Sequence, residues 1–308
     1  MPSVCDASLF PAPVISAQHA LSAHSQAIRL IVDAALLEDL GQGDVTTDHL
    51  PALAHLQREA VIRVRQDCVV SGLSVAALVF QSVDSTLLFQ PVAQNGCFAK
   101  AGSIIGTVQG SMASILKAER TALNFLQHLS GIATETRRYV EAVAGTQTRI
   151  AHTRKTTPGL RLLEQQAVLH GGGLPHRFNL GSCVMLKDNH LQALAETTDN
   201  PIAEAIRLLR ARISHTTKIE VEADRLEQVQ QAVAGGADII LLDNMAPPMI
   251  REALAIIQKR AISEASGGIS LETIRAFAET GVDIISTSKI TLGVPAIDIG
   301  LDLDAPAS

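Results

Sequence analysis

The chain shows two different patterns of apolar and polar positions, one in its first part and one from Thr148 onward. From about residue 60 to residue 111, apolar residues recur in short strand-like runs, EAVIRVRQDCVVSG, LLFQPVAQNG and SIIGTVQGS, separated by turns that contain glycine. One helical stretch, SVAALVFQSV, interrupts these runs, and helical spacing also begins near Ala27 in IRLIVDAALLEDL. This part of the chain predicts an α/β sandwich.

A long helical region follows the strand-like runs. The segments ILKAERTALNFLQHLSG and IATETRRYVEAVAG both carry helical periodicity. Because glycine commonly stands just beyond the C-terminus of a helix, we expect this region to break at Gly131 and to end at Gly145.

From Thr148 onward, short apolar runs alternate with amphipathic helices. The runs are TRIAHT, CVMLK, KIEVE, ADIILLD, AISEAS and VDIIS. Strands that are almost continuously apolar and separated by helices predict a parallel sheet covered on both faces. About six or seven strand–helix units fit, fewer than the eight of a complete barrel. The pattern therefore predicts an incomplete parallel α/β barrel of six or seven strands, whose open side needs a cover.

The predicted organisation has three parts. Residues 1–26 form a loose N-terminal tail, residues 27–133 an α/β sandwich domain, and residues 134–293 the α/β barrel domain. We expect the C-terminal residues 294–308 to return to the sandwich.

Composition narrows the partners and the compartment. A net charge of −6 and a pI of about 5.9 argue against a nucleic-acid or membrane partner. No apolar run reaches the roughly 20 residues that span a bilayer, and the N-terminus does not resemble a secretory signal. The four cysteines, Cys5, Cys68, Cys97 and Cys183, have spacings that indicate neither a zinc site nor a disulfide framework. We therefore expect a cytoplasmic protein.

Polar side chains directly follow the apolar core of nearly every predicted barrel strand. Because the C-terminal ends of barrel strands meet at one mouth, these side chains should converge. They are Arg154, Lys155, Lys187, Asp188, Asn189, His190, Glu220, Glu222, Asp243, Asn244, Glu264, Ser266, Gly267, Gly268, Ser286 and Ser288.

The converging groups fall into two chemical sets. Arg154, Lys155, Arg177 and Lys187, with His176, form a cationic set inside an acidic protein, which suits a small ligand with several carboxylates or phosphates. Carboxylates at the same mouth suit Mg²⁺ bridging of a pyrophosphate, ribose binding or stabilisation of a positive charge.

The run ASGGIS at 265–270 lies between a predicted strand and a predicted helix. Its backbone N–H groups could hold a phosphate, although a Gly-Gly pair is more often an ordinary turn. Its place in a late strand–helix loop favours the phosphate site.

Several long blocks resemble the quinolinate phosphoribosyltransferases, which are type II phosphoribosyltransferases. The blocks are ERTALNFLQHLSGIAT, TRKTTPGLRLLEQQAVLHGGG, HR at 176–177, KDNH, EVE, LLDNM, EASGGI and GVDIIS. The resemblance runs from about Glu38 to about Leu303. It implies transfer of a phosphoribosyl group from phosphoribosyl pyrophosphate to quinolinate, with decarboxylation, to give nicotinate mononucleotide in NAD biosynthesis.

The resemblance also implies roles for individual residues. The quinolinate-binding groups match Arg120, Arg154, His176, Arg177 and Lys187, with Arg120 reaching the barrel mouth of a partner subunit. The phosphoribosyl pyrophosphate side, with Mg²⁺ as cofactor, matches Lys155, Glu222 and Asp243. The remaining substrate-binding candidates are Thr153, Ser266, Gly267, Gly268, Ser286 and Ser288. Lys155, Lys187, Glu222 and Asp243 are the catalytic candidates, and Glu222 and Asp243 the candidate Mg²⁺ ligands.

The chain departs from the family pattern at a few positions. Pro175 stands where asparagine is common, and Asn179 where glycine is usual. The last-strand motif, usually Ser-x-Gly-x-Leu-Thr-His, has Ser288 and Leu292 in place of its glycine and histidine. These changes put the detailed contacts to the 5′-phosphate in question and leave the dicarboxylate pocket unchanged.

Other functions stay open on the sequence. The chain could act on nicotinate, could be the related phosphoribosyltransferase of a molybdenum-associated operon, or could bind a dicarboxylate without catalysis. We expect a homodimer whose sites are completed by the partner subunit, with a higher oligomer possible.

Overall fold

The structure, a computed structural model, describes residues 25–196 and 198–303. The predicted tail therefore lies outside the described residues, apart from Ser25 and Gln26, which begin a helix. The chain forms two compact units. Of the described residues, the first unit comprises 25–137, 157–172 and 293–303, and the second comprises 138–156, 173–196 and 198–292.

An antiparallel sheet of four strands organises the first unit. Its strands are β1 (Gln57–Val64), β3 (Leu88–Pro91), β5 (Ile104–Ser111) and β12 (Ile299–Leu303), in the order β12-β1-β5-β3. The C-terminal strand β12 pairs with β1, with Ile62 opposite Leu301. A two-stranded sheet, β2 (Cys68–Val69) with β4 (Phe98–Ala99), completes the strands of this unit.

Helices surround these sheets. They are α1 (Ser25–Leu40), α2 (Ala52–His55), α3 (Leu73–Val83), α4 (Met112–Ala142) and α5 (Arg161–His170), with a 3₁₀ turn at Thr47–His49. The first unit buries an apolar core that includes Phe80, Ile105, Ile115 and Leu126.

Helix α4 is continuous over 31 residues, so the predicted break at Gly131 is wrong. A Cβ atom at Gly131 would clash with the carbonyl oxygen of Pro295. Glycine is therefore required here for close approach of the returning C-terminal segment, a tertiary reason that local propensity does not reveal.

Six parallel strands organise the second unit. They are β6 (Arg149–Ala151), β7 (Val184–Leu186), β8 (Ile219–Ala223), β9 (Ile239–Asp243), β10 (Ile262–Ser266) and β11 (Ile284–Ser286), in the order β6-β11-β10-β9-β8-β7. A single parallel bridge from Leu174 to Ala151 adds to the β6 edge. The predicted fold class, α/β with a parallel sheet of six strands and an N-terminal sheet domain, is confirmed.

Helices connect these strands, as the alternating pattern predicted. They are α6 (Asp188–Ala195), α7 (Pro201–Arg210), α8 (Leu226–Gly235), α9 (Pro247–Ile257) and α10 (Ile274–Ala278), with a 3₁₀ turn at Ser288–Ile290. Helix α7 begins after Asn200, whose side chain accepts a hydrogen bond from the N–H of Ala203, and has proline at its first position.

The units are not contiguous in sequence, in contrast to the boundary placed between residues 133 and 134. Helix α5 belongs to the first unit, where buried polar contacts hold it. Its Glu164 contacts His128 at 2.9 Å, and its His170 contacts Ser71 at 2.8 Å. Pairings across 36 and 99 residues of sequence are not visible in local patterns.

Two further observations concern composition. In the described part of the chain, no helix combines the length and apolar character needed to cross a bilayer. Among the described residues, Cys68 and Cys183 are free thiols.

Candidate active site

The C-terminal ends of the six parallel strands surround one cavity of about 430 Å³ in the second unit. Thirteen of the fourteen predicted substrate-binding residues line it: Thr153, Arg154, Lys155, His176, Arg177, Lys187, Glu222, Asp243, Ser266, Gly267, Gly268, Ser286 and Ser288. Most of them lie at or just beyond the end of a strand, because all six strands run in the same direction and bring their C-terminal ends to one edge, whereas His176 and Arg177 lie in the loop between α5 and β7.

A cationic wall contains Arg154, Arg177 and Lys187. The guanidinium of Arg177 donates to the carbonyl oxygen of Cys183 at 3.2 Å and contacts the sulfur of Met185 at 3.3 Å. Burial, together with the charge of Arg154, lowers the pKa of Arg177. The like charges of Arg154 and Arg177 repel each other, so an anion bound between the two guanidinium groups would relieve the repulsion. A planar carboxylate fits such a pair through bidentate hydrogen bonds.

The Nε–H of Arg177 is buried and has no hydrogen-bond partner among the described residues. Buried donors of this kind are normally satisfied, by protein, ordered water or ligand. This unmet donor therefore supports the view that the wall is arranged for an anion.

Carboxylates lie at the same mouth. The side chain of Glu222 is 18% exposed and lies 3.6 Å from the ammonium group of Lys187. Burial raises the pKa of Glu222, Lys187 opposes that shift, and the neighbouring Asp243 adds to it. These influences on the pKa of Glu222 oppose each other, and a nearby cation, from substrate or metal, would favour its ionised form.

Glu222 and Asp243 fit Mg²⁺ as a donor set. Mg²⁺ usually keeps several waters and takes only one or two protein carboxylates together with substrate phosphates. The two carboxylates line one cavity that also contains Lys155, so a metal-bound pyrophosphate could contact both signs of charge.

The loop after β10 has a backbone that only glycine adopts easily. Gly267 has φ +99° and Gly268 φ +65°. A Cβ atom at Gly267 would lie 2.9 Å from the backbone nitrogen of Asn244 and would clash with the Asn244 side chain, whereas a Cβ at Gly268 meets nothing within 4 Å. Gly267 is thus needed for packing, and Gly268 leaves space at the cavity.

The loop after β11 is held by its hydroxyl groups. Thr287 accepts a hydrogen bond from the N–H of Lys289 at 3.2 Å, and Thr291 donates to the carbonyl oxygen of Lys155 at 2.9 Å. The hydrogen bond from Thr291 connects the loop after β11 to the loop after β6. Ser288 and Lys289 line the cavity, whereas Leu292, which replaces the family's histidine, is 43% exposed.

His176 has a different environment from the one expected. Its side chain is only 11% exposed, and its Nε2 faces two buried glutamates, at 3.3 Å from Glu264 and 3.7 Å from Glu220. Its Nδ1 accepts a hydrogen bond from the N–H of Arg177 at 2.8 Å. Both ring nitrogens therefore contact protein groups.

Two influences on the protonation of His176 oppose each other. Burial lowers its pKa, and the facing carboxylates outweigh burial and raise it. The carboxylates thus favour a second proton on the ring, but on Nδ1 that proton would point at the N–H of Arg177. This geometry therefore favours a neutral ring with its proton on Nε2. Burial and the proximity of Glu264 raise the pKa of Glu220, which favours a proton on this pair of carboxyl groups.

The remaining predicted residue, Arg120, lies exposed in α4 of the first unit. The cavity also contains residues that were not predicted as substrate ligands, among them Asn244 and Thr287. Their positions directly after strand ends were a usable signal. The buried pair Glu220 and Glu264 was noted only for its place in the strands, because nothing in the sequence shows which residue they face.

Family comparisons agree with this architecture. The family model described as Quinolinate phosphoribosyl transferase, C-terminal domain, matches residues 132–302, and the corresponding N-terminal domain model matches residues 44–130. A probable nicotinate-nucleotide pyrophosphorylase (carboxylating) of Synechocystis is 41% identical over 271 residues, covering 87% of this chain and 90% of the relative. A Bacillus subtilis protein of the same description is 37% identical over 276 residues, covering 90% and 93%.

Solved structures show the same likeness. The nicotinate-nucleotide pyrophosphorylase of Francisella tularensis superposes with a TM-score of 0.84 at 33% identity, covering 91% of this chain and 96% of that one. NadC from Streptococcus pyogenes gives 0.83 at 36% identity, with coverage of 92% and 98%. On these matches, together with a cavity built from the family's motif residues, this chain belongs to the quinolinate phosphoribosyltransferase family.

Proposed function

We propose that this protein transfers the phosphoribosyl group of phosphoribosyl pyrophosphate to the ring nitrogen of quinolinate, with loss of one carboxyl group. The products are nicotinate mononucleotide, pyrophosphate and CO₂, a step of NAD biosynthesis. The observation that carries the proposal is the cationic wall facing carboxylates and a glycine loop in one cavity.

The cationic wall fits the dicarboxylate. Arg154 and Arg177 together present planar donors for two adjacent carboxylates, and Lys187 adds a third positive charge. A ligand held at both carboxylates cannot rotate in the plane of its ring. Its nitrogen is then held toward the sugar, which removes much of the entropic barrier to attack.

The opposite side of the cavity fits the sugar phosphate. The backbone N–H groups around Gly267 and Gly268 suit the 5′-phosphate, and Lys155 suits the departing pyrophosphate. Glu222 and Asp243 would hold Mg²⁺, which would supply positive charge for the departing pyrophosphate. As the pyrophosphate leaves, the ribose gains positive charge at C1, which the same two carboxylates stabilise.

Decarboxylation needs little from the protein. Once the nitrogen is alkylated, the cationic ring accepts the electron pair released from the neighbouring carboxylate. The resulting carbanion requires one proton, and the ammonium group of Lys187, 3.6 Å from Glu222, is the available donor at the mouth.

Assembly and location belong to the same proposal. The family resemblance supports a homodimer in which Arg120 completes the site of the partner subunit, with Arg120 exposed on α4. The cytoplasmic location predicted from the sequence is part of the proposal.

The decisive experiment combines the protein with quinolinate, phosphoribosyl pyrophosphate and Mg²⁺. Nicotinate mononucleotide, pyrophosphate and CO₂ should appear in equal amounts, and omission of Mg²⁺ should abolish them. Binding of quinolinate without any product would contradict catalysis and would support a non-catalytic dicarboxylate-binding protein.

A parallel reaction with nicotinate tests the runner-up activity. Nicotinate has one carboxylate, so it should leave one guanidinium of the cationic wall unpaired and react far more slowly. Equal rates with both acids would instead favour a nicotinate phosphoribosyltransferase.

A further inference from the structure

A buried carboxylate pair lies beneath the cavity. Glu220 and Glu264 are 1% and 3% exposed, and neither lines the cavity. Both present an oxygen to the Nε2 of His176, which stands between them and the cavity. Buried carboxylates are costly unless they are matched by protons or positive charge, so such a pair needs a specific function.

Hydrogen-bond directions connect this pair to the cationic wall. The Nδ1 of His176 accepts from the backbone N–H of Arg177 at 2.8 Å. The backbone N–H of His176 donates to the Nε2 of the fully buried His152 at 3.1 Å, and the other ring nitrogen of His152 contacts the carbonyl oxygen of Thr153 at 2.6 Å. The two stretches that carry Arg154 and Arg177 are therefore linked through two imidazole rings.

The tautomer of His176 decides whether this link holds. Only a ring with its proton on Nε2 and none on Nδ1 can accept from Arg177. A carboxylate facing Nε2 favours that tautomer electrostatically, because negative charge on one side of the ring stabilises the proton on the nearer nitrogen. Glu264, with its Oε1 at 3.3 Å, is the nearer of the two carboxylates, and since neither Oε1 has a hydrogen-bond partner among the described residues, the contact to Nε2 is electrostatic.

We infer that Glu264, assisted by Glu220, is a positioning residue that selects the Nε2–H tautomer of His176 and thereby holds Arg177 in place for the dicarboxylate. His176 then acts on the ligand through Arg177. The predicted effect on quinolinate binding rests on the proposed function, whereas the predicted tautomer of His176 does not.

Glu264→Leu tests the inference because leucine keeps the volume and removes the carboxylate. Histidine ring ¹⁵N spectra, with the His176 signals assigned by their loss in His176→Gln, should show Nδ1 unprotonated and Nε2 protonated in the native protein. In Glu264→Leu the tautomers should mix, the amide resonance of Arg177 should shift, and the Kd of quinolinate should rise about tenfold. The Kd of phosphoribosyl pyrophosphate should change little.

Two matched variants separate positioning from stability. Glu264→Gln keeps an electronegative oxygen and should restore the native tautomer, with quinolinate binding within about threefold of the native value. Ser263→Ala, one residue earlier in β10, removes a buried hydroxyl that bonds Asp283. It should lower the melting temperature without altering the tautomer or the affinity for quinolinate.

Two results would overturn the inference. One is a His176 ring that carries protons on both nitrogens at neutral pH. The other is a Glu264→Leu protein that is destabilised like Ser263→Ala but keeps the native tautomer and quinolinate affinity. If the native protein failed to bind quinolinate, the proposed function would be wrong, and the ring spectra and the Arg177 amide would still decide the tautomer.

Discussion

At the scale of single residues, the cationic wall makes the sharpest prediction. Arg154→Ala removes a charged donor beside Arg177, and hydrogen bonds to charged groups contribute about 1.5–3 kcal/mol each. We expect kcat/KM for quinolinate to fall roughly ten- to hundredfold, with effects on both KM and kcat because the reacting nitrogen is also misplaced. Steady-state kinetics measure this directly. Near-native values would remove Arg154 from the quinolinate site, and Arg251→Ala, an exposed arginine on α9, serves as the control.

At the scale of elements, the glycine loop after β10 separates the two substrates. Gly268→Val places a branched side chain at φ +65°, in a conformation that costs about 1–2 kcal/mol for L-residues, and blocks close approach of a phosphate. The Kd of phosphoribosyl pyrophosphate should rise strongly, while calorimetric titration with quinolinate alone should give a nearly native value. Gly281→Val is the matched control, because Gly281 has φ +86°, equal open space and a position away from the cavity. Similar losses in both variants would assign the effect to backbone strain.

At the scale of the whole molecule, the proposed dimer predicts complementation. Arg120→Ala and Lys187→Ala subunits should each be inactive as homodimers, because each lacks one ligand of the shared site. Mixing in equal amounts, denaturation and refolding should make about half of the dimers heterodimers, each with one intact site in two. The mixture should therefore have about a quarter of native activity. Differently tagged subunits, purified through both tags, verify the exchange. An inactive, verified heterodimer would show that Arg120 serves its own chain.

Local patterns predicted much of this architecture because they record burial directly. Strands such as ADIILLD are apolar on both faces since helices cover both, and polar residues at or just beyond the ends of the strands line the cavity. Chain direction alone then brings Asp243, Ser266 and Ser286 to one edge. Most of the predicted ligands follow from that geometry, whereas His176 and Arg177 come from the loop before β7.

Contacts between distant segments could not be predicted in this way. Gly131 has the local signature of a helix break, but the carbonyl of Pro295 needs the space that its missing side chain leaves. Helix α5 follows a barrel strand in sequence, yet Glu164 and His170 pack in the first unit. In each case the deciding partner lies far away along the chain, where periodicity carries no information.

The sequence by itself determined the parallel sheet, the mouth where its strands end, the opposite charges that meet there and, through its motifs, the family. Only the tertiary structure decided which groups those side chains face. His176 lines the cavity, and its two ring nitrogens face protein groups, with Glu264 on one side and Arg177 on the other. The physical reason is that strand spacing specifies which edge of the sheet a residue reaches, whereas hydrogen-bond direction and protonation depend on partners from other strands.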